Sequence, residues 1–237
     1  MNKTFLITGA SSGLGEIFCR LISNIAKNII IVGRNKKKLS KVKRKIISLN
    51  PQIKVIIICT DLSEKIGVLN LFKKFEKQKI TKFVDVLVNS AANFTVKEIE
   101  KTSSKQIQKD FQLNVISPFM ISKYFGLKMK KKGEGIIFNI GSSSSYGCSK
   151  NTSVYCSTKH ALLGMSRAFN AEWQINGVRS VFIAPGSMKT PMGRKVRNQD
   201  FNTFIEPYKV AKIMKDLLNK KKSKLAQEIR IKRKIYR

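Results

Sequence analysis

Apolar, β-branched runs alternate with longer amphipathic stretches along the whole chain, and this alternation constrains the fold more than any other feature. The runs are continuously apolar, which is typical of strands buried on both faces of a parallel sheet. We therefore predict an α/β fold with one doubly wound, parallel sheet of about seven strands and helices on both faces. The predicted strands are Thr4–Thr8, Asn28–Val32, Lys54–Cys59, Val84–Asn89, Gly135–Ile140, Arg179–Ala184 and Glu228–Ile231, and the predicted helices lie at about 13–26, 36–49, 65–79, 103–131, 153–176 and 207–219.

The length and organisation of the chain favour one domain. No low-complexity linker or internal repeat divides the 237 residues, and we treat 1–237 as a single unit with a basic, glycine-free tail at about 220–237. No apolar run approaches the roughly 18 residues of a membrane span. A glycine-rich turn follows Phe5–Ile7 too soon for a signal peptide, so we expect a cytoplasmic protein.

The net charge of +33 has two interpretations. So basic a surface could attract nucleic acid, an anionic membrane or an acidic protein. Alternatively, the abundant lysine, isoleucine and asparagine share codons rich in adenine and thymine, and the lysines are spread along the chain. We favour this compositional origin and expect no specific nucleic-acid partner.

The cysteine and histidine pattern predicts no metal site. The four cysteines, Cys19, Cys59, Cys148 and Cys156, form no CxxC pair, and His160 is the only histidine. In a cytosolic chain such cysteines are reduced thiols.

The first predicted strand leads directly into a glycine-rich turn, which precedes an amphipathic helix. Glycines permit a tight turn and let the backbone approach a pyrophosphate at the positive end of the helix. A purely structural loop is the alternative, but the position after the first strand favours a dinucleotide site in a Rossmann-type domain. The candidate cofactor-binding residues of this turn are Gly9, Ser11, Ser12, Gly13, Leu14 and Gly15.

The second strand is followed by Arg34, at a place where an acidic residue would bind the ribose hydroxyl of NAD. A guanidinium can instead hold a 2′-phosphate with two parallel hydrogen bonds. The sequence therefore favours NADP (NADPH) over NAD. The alternative is that Arg34 is one more surface cation.

Tyr155 and Lys159 lie four residues apart and would share one face of a helix, with Ser142 placed 13 residues before the tyrosine. A nearby ammonium can lower the pKa of a phenol. Tyr155 would then act as general acid in ketone reduction and as general base in alcohol oxidation. Ser142 could hydrogen-bond the substrate oxygen as charge develops on it. A chance surface pair is the alternative interpretation of the Tyr–Lys spacing.

Taken together, these motifs resemble the short-chain dehydrogenase/reductase family, including its 3-ketoacyl carrier-protein reductase-like members, over residues 4 to about 219. The TGxxxGxG pattern begins at Thr8, PGxxxT begins at Pro185, and the Asn89–Ala92 segment is similar to NNAG, from which Ser90 and Ala92 depart. The resemblance implies a catalytic set of Asn114, Ser142, Tyr155 and Lys159, in which Asn114 anchors a water of the proton relay. It also implies cofactor contacts at Asp61, Leu62, Asn89, Ala91, Tyr155, Lys159, Pro185, Gly186, Met188 and Thr190.

The implied function is an NAD(P)-dependent oxidoreductase acting on a carbonyl or alcohol, most simply an NADPH-dependent reductase. Cations at Arg194, Lys195 and Arg197 and the aromatic Phe201 and Phe204 follow the PG motif and suit an anionic or carrier-linked substrate. A 3-ketoacyl thioester and a sugar or other small carbonyl both remain open.

The resemblance also implies a homodimer or homotetramer, formed through the helices near 103–131 and 153–176. The alternative function is a non-catalytic regulator that binds a dinucleotide or nucleic acid on the same fold. The complete set of four catalytic residues argues against it.

Overall fold

A computed structural model of the chain describes residues 3–77, 83–196, 199–221 and 224–233, so that Arg197 lies outside the described residues. Seven strands in the described part form one sheet in the order β3-β2-β1-β4-β5-β6-β7, with every neighbouring pair parallel. The predicted α/β fold is therefore confirmed. The strands are β1 (Lys3–Thr8), β2 (Ala26–Gly33), β3 (Lys54–Cys59), β4 (Val86–Asn89), β5 (Gly135–Ile140), β6 (Val178–Pro185) and β7 (Glu228–Ile231).

Helices follow the strands as the sequence pattern predicts, with two main differences, and residues 78 and 79 of the helix predicted at 65–79 lie outside the described residues. The first helix ends at Leu21 rather than near residue 26, because the Ser23 hydroxyl donates back to the Arg20 carbonyl at 2.9 Å and Ala26 already belongs to β2. The helix predicted at 103–131 is divided by a π-helical turn at Gln112–Ile116. The helices are α1 (Gly13–Leu21), α2 (Lys36–Leu49), α3 (Lys65–Lys77), α4 (Ser104–Phe111), α5 (Ser117–Lys132), α6 (Ser153–Trp173) and α7 (Pro207–Leu217).

Each face of the sheet is covered by its own apolar layer. In β1, Phe5 and Ile7 pack with α1, α2 and α7, whereas Leu6 packs with α3, α5 and α6 on the opposite face. Both layers are buried, which explains why the strands are continuously apolar. Among the described residues no helix is long and apolar enough to span a membrane.

The strand order reverses between β1 and β4, and the carboxyl ends of these strands therefore open onto a crevice. The chain is tightly packed there. A Cβ atom on Gly9 would lie 2.7 Å from the backbone nitrogen of Ala91, and Gly9 has a φ of +66°. Only glycine satisfies both conditions, so the turn after β1 is fixed against the segment after β4.

Candidate active site

Two adjoining cavities lie at the carboxyl edge of the sheet. The first, of about 490 Å³, is bounded by the turn after β1 and by the residues that follow β2, β3 and β4. The second, of about 1060 Å³, is bounded by the segments that follow β4, β5 and β6. Tyr155 lines both cavities, together with Asn93, Gly141, Met188, Thr190 and Met192. A molecule in the first cavity can therefore meet one in the second beside Tyr155.

The glycine-rich turn forms one wall of the first cavity. Gly9, Ser11, Ser12, Gly13 and Leu14 all line it, and α1 begins at Gly13 without a capping hydrogen bond from the Ser12 side chain. Gly15 lies behind this wall, where a Cβ atom would come within 2.6 Å of the Gly9 carbonyl oxygen. A glycine cradle at the start of a helix suits an anionic group such as a pyrophosphate.

Arg34 and Asp61 line the far end of the first cavity. Burial raises the pKa of Asp61, but two hydrogen bonds from Ser63 and the charges of Arg34 and Lys109 outweigh it, so the pKa is lowered. Leu62 lines the same cavity, and its carbonyl oxygen accepts a hydrogen bond from the Ser117 hydroxyl at 2.6 Å. Arg34 itself is exposed, which leaves its guanidinium accessible to a phosphate.

The segment after β4 meets the first cavity through Ser90, Ala91 and Ala92. The Thr8 hydroxyl oxygen accepts hydrogen bonds from the backbone nitrogens of Ser90 and Ala91 at 3.1 and 3.2 Å. Asn89 does not line either cavity. Its side chain is buried and donates to the Ser122 hydroxyl and to the Asn139 amide oxygen, both at 2.8 Å. Asn89 therefore ties β4 to α5 and β5.

Ser142, Tyr155 and Lys159 lie together where the two cavities meet. The Ser142 hydroxyl lies close enough to the Tyr155 phenol to lower its pKa, and it accepts a hydrogen bond from the Ser144 backbone nitrogen at 3.1 Å. The Lys159 ammonium nitrogen is 5.6 Å from the centre of the Tyr155 ring and donates to the carbonyl oxygen of Ile140, the last residue of β5, at 2.9 Å. Ser143 is exposed at the start of the next turn. The arrangement brings a hydroxyl, a phenol and an ammonium to one point.

The pKa values at this point differ from the sequence expectation. Burial raises the pKa of Tyr155 to about 12, although the nearby Ser142 hydroxyl opposes the rise. Burial also lowers the pKa of Lys159 from 10.5 to about 8. The lowering of the phenol pKa is therefore not found in the chain without cofactor, because desolvation outweighs the favourable effect of Ser142.

Asn114 is buried at the centre of the π-helical turn and lines neither cavity. Its amide oxygen accepts from the Asn93 backbone nitrogen at 2.8 Å, and its amide nitrogen donates to the Asn93 carbonyl and to the Thr158 hydroxyl at 3.0 and 3.1 Å. The side chain thus holds the segment after β4 against α6. Its backbone carbonyl lacks the usual helical donor, because residue 118 is a proline.

The segment after β6 borders both cavities. Pro185 and Gly186 line the second cavity, whereas Met188 and Thr190 line both. A Cβ atom on Gly13 would lie 3.4 Å from the Thr190 side chain, so this segment approaches the glycine-rich turn. The second cavity is lined by four exposed cations, Lys97, Lys150, Arg194 and Lys195. None of them forms an ion pair with a carboxylate among the described residues.

Sequence reasoning missed Asn93, Phe94, Gln106 and Lys109, which line one or both cavities. Asn93 and Phe94 directly follow the Asn89–Ala92 segment, and extending that segment by two residues would have included them. Gln106 and Lys109 lie on α4, far from any motif, and no signal in the sequence marks them.

Comparison with known proteins identifies similar chains. A family model described as short chain dehydrogenase matches residues 3–200. The 3-oxoacyl-(acyl-carrier-protein) reductase FabG of Rickettsia typhi is 28% identical over 204 residues, which cover 86% of this chain and 80% of the relative.

Solved structures share the fold. The alcohol dehydrogenase from the archaeon Thermococcus sibiricus, complexed with 5-hydroxy-NADP, has a TM-score of 0.87 and 24% identity over 100% of both chains. The short-chain dehydrogenase from Sphingobium yanoikuyae, in complex with NADPH, has a TM-score of 0.82 and 20% identity, covering 92% of this chain and 84% of that chain.

Proposed function

This chain belongs to the short-chain dehydrogenase family of oxidoreductases that act on CH–OH and C=O groups, and we propose that it is an NADPH-dependent reductase with Tyr155 as its general acid. The observation that carries the proposal is the position of Ser142, Tyr155 and Lys159 at the junction of two cavities. The first cavity would hold the cofactor and the second the carbonyl substrate. When bound, the nicotinamide supplies the hydride.

Tyr155 donates its phenolic proton to the carbonyl oxygen of the substrate as the alcohol forms, and it accepts that proton in the reverse direction. Its pKa of about 12 in the chain alone is too high for easy ionisation near neutrality. The positive charges of Lys159 and of an oxidised nicotinamide are the two groups that can lower it in the complex. Ser142 donates a hydrogen bond to the same substrate oxygen and orients it.

Asn114 completes the catalytic set as the anchor of a water in the proton relay. Because its side-chain amide is engaged with Asn93 and Thr158, the water would bind to its backbone carbonyl, which Pro118 leaves without a helical donor. Lys159 would connect such a water to Tyr155, since its ammonium lies between β5 and the phenol ring.

The residues of the first cavity fit a phosphorylated dinucleotide. The glycine-rich turn and the start of α1 would hold the pyrophosphate, Asp61 and Leu62 the adenine, and Ala91, Met188 and Thr190 the nicotinamide half. Arg34 would bind the 2′-phosphate that distinguishes NADP from NAD. The preference rests on Arg34, because similar solved structures contain NADPH in one case and NADH in another.

The second cavity favours an anionic or carrier-linked carbonyl substrate. Its volume of about 1060 Å³ exceeds the need of a small ketone, and Lys97, Lys150, Arg194 and Lys195 surround it. A 3-ketoacyl thioester fits this description and agrees with the name of the Rickettsia typhi relative, and an acidic oxo-sugar fits it as well. The protein would act as a homodimer or homotetramer, since α5 leaves Phe119 and Leu127 each 45% exposed.

The test is a turnover screen with NADPH and NADH against ketones, ketoacyl thioesters and oxo-sugars, followed by substitution of Tyr155. Tyr155→Phe removes the proton but keeps the ring, so turnover should fall by roughly 10²–10⁴-fold while cofactor affinity changes little. Tyr208→Phe, on an exposed residue of α7, is the matched control and should keep full activity. Full activity of Tyr155→Phe on a confirmed substrate would show that the assignment is wrong.

A further inference from the structure

Asp110 is a buried carboxylate on α4 that the proposed catalytic set does not use. It is 1% exposed, and one of its oxygens, Oδ1, accepts hydrogen bonds from the amide nitrogens of Asn93 at 2.7 Å and Gln106 at 2.9 Å. Its second oxygen, Oδ2, is buried without a hydrogen-bond partner among the described residues. Because a carboxylate is costly to bury, the hydrogen bonds that keep it there indicate a positional requirement.

The group that Asp110 holds is Asn93, which is also clamped from a second direction. The Asn114 amide binds the backbone nitrogen and carbonyl of Asn93, so the backbone of this residue is fixed on both sides. Asp110 and the Thr95 hydroxyl accept from its side-chain amide at 2.7 and 3.2 Å. Hydrogen bonds therefore restrain both the backbone and the side chain of Asn93, and this restrains the position of the next residue in the chain.

That next residue is Phe94, whose ring meets the phenol of Tyr155. The two ring centres are 4.7 Å apart at an interplanar angle of 73°, an edge-to-face contact. Phe94 lines the second cavity, whereas Asn93 lines both cavities. The Phe94 ring thus forms part of the wall that leaves Tyr155 only 8% exposed.

We propose that Asp110 is a positioning residue that, through Asn93, holds the Phe94 ring against Tyr155 and so sets how far water is excluded from the phenol. The inference rests on the proposed role of Tyr155 and adds to it a residue on a different helix. Gln106, one turn before Asp110 on the same face of α4, supports the arrangement by donating to Asp110 and to Thr95 at 2.9 and 3.3 Å.

The test uses the pH dependence of alcohol oxidation in the full-length protein with its cofactor. In Asp110→Leu the Asn93 amide loses the shorter of its two hydrogen bonds and keeps only the one to Thr95, so Phe94 is held less firmly and water reaches the phenol. Solvation favours the phenolate, so the apparent pKa of the rate should fall by about half a pH unit or more, and kcat should fall about tenfold. Asp110→Asn keeps an acceptor oxygen and should restore both values. Asp216→Leu, on an exposed residue of α7, is the control and should change neither.

A double-mutant cycle with Phe94→Ala separates positioning from general destabilisation. In the Phe94→Ala background Asp110→Leu should change the pH profile and kcat by less than about twofold, because the ring it positions is gone. Equal effects in both backgrounds, an unchanged profile in Asp110→Leu, or failure of Asp110→Asn to restore it would each overturn the proposal.

Two further variants keep the test decisive. If Asp110→Leu does not fold, Asn93→Ala removes the same hydrogen bond from the other side and should move the profile in the same direction, and an unmoved profile would overturn the proposal. Tyr155→Phe identifies the origin of a failure. If Tyr155→Phe still shows the ionisation step in the pH profile, the proposed function is wrong. If Tyr155→Phe abolishes the step and Asp110→Leu does not shift its apparent pKa, only the role of Asp110 is wrong.

Discussion

Replacing Lys159 by methionine should stabilise the protein at neutral pH while it abolishes activity. The Lys159 ammonium is 3% exposed, and burial lowers its pKa from 10.5 to about 8. At about 1.4 kcal/mol per pKa unit, this difference means that holding the charged form inside the folded chain costs about 3 kcal/mol. Methionine fills a similar space without charge, and it loses the hydrogen bond to the Ile140 carbonyl, worth about 1 kcal/mol, and the contact of the ammonium with the Tyr155 ring, worth about 0.5 kcal/mol. Lys159→Met should therefore be about 2 kcal/mol more stable at pH 7.

The advantage should disappear as the pH rises. Because the folded-state pKa of Lys159 lies below that of the unfolded chain, the unfolded chain binds more protons between pH 8 and 10.5, and the wild type gains stability across that window. Above pH 10 Tyr155 has the opposite effect. Its pKa is higher in the folded chain than in the unfolded chain, so the phenol of the unfolded chain ionises first, and the folded state loses stability as the pH rises. The comparison is therefore cleanest from pH 7 to 10, where the difference between the two proteins should shrink to near zero.

Urea unfolding of the wild type and Lys159→Met at several pH values, at one fixed protein concentration, measures the difference directly. Lys212→Met, on an exposed residue of α7, is the matched control and should change stability by less than about 0.5 kcal/mol at every pH. A Lys159→Met variant that is less stable than the wild type at pH 7, or that keeps the same advantage at pH 10, would refute the reasoning.

Four further outcomes are expected. Arg34→Asp should reverse the preference for NADPH over NADH in fluorescence titrations, and equal affinities in the parent would contradict the role of Arg34. In urea unfolding, Gly126→Ala should lose about 1–3 kcal/mol of stability, since its Cβ would lie 2.1 Å from the Trp173 ring. Gly164→Ala is the control, because its Cβ would meet nothing within 4 Å, and it should gain up to about 1 kcal/mol. Sedimentation at moderate salt should show a dimer or tetramer, and a monomer alone would count against the exposed face of α5 as an interface. Any DNA binding should lack sequence preference and collapse between low and physiological salt, so selective binding that survives would revive a regulatory function.

The fold was accessible from the sequence because both faces of the sheet are buried. The central strands are continuous apolar runs, and the predicted bounds of β3, β5 and β7 agree with the structure to the residue. The end of α1 could not be predicted, because the residues after it are buried as well. Ile22 and Ile25 continue the apolar pattern into the core after the helix has ended, so periodicity alone could not show where the turn begins.

The site was accessible where it follows a strand directly, and not where it depends on contacts between distant elements. Ser142 follows β5, and its side chain lies close enough to Tyr155, 13 residues later, to lower the pKa of the phenol. Asn89 carries a motif residue type, yet its side chain faces Asn139 in the interior, which only the packing of β4 against β5 decides. The raised pKa of Tyr155 in the chain without cofactor could not be predicted, because desolvation depends on the whole wall around the phenol, which the sequence does not display.

The π-helical turn is a different case, because its cause stands in the sequence. An α-helix through this region would pair the Asn114 carbonyl with the backbone nitrogen of residue 118, but Pro118 has no N–H and its ring would collide with that carbonyl. The backbone escapes the collision by widening at Gln112–Ile116, and the Ser117 nitrogen then donates to Gln112, five residues earlier. The turn places the Asn114 side chain between Asn93 and Thr158, where it joins the segment after β4 to α6. Pro118→Ala should therefore let an ordinary helix form and withdraw Asn114 from Asn93 and Thr158. Turnover should fall, whereas the free energy of unfolding should change little. A variant with wild-type turnover would show that the proline is not the cause.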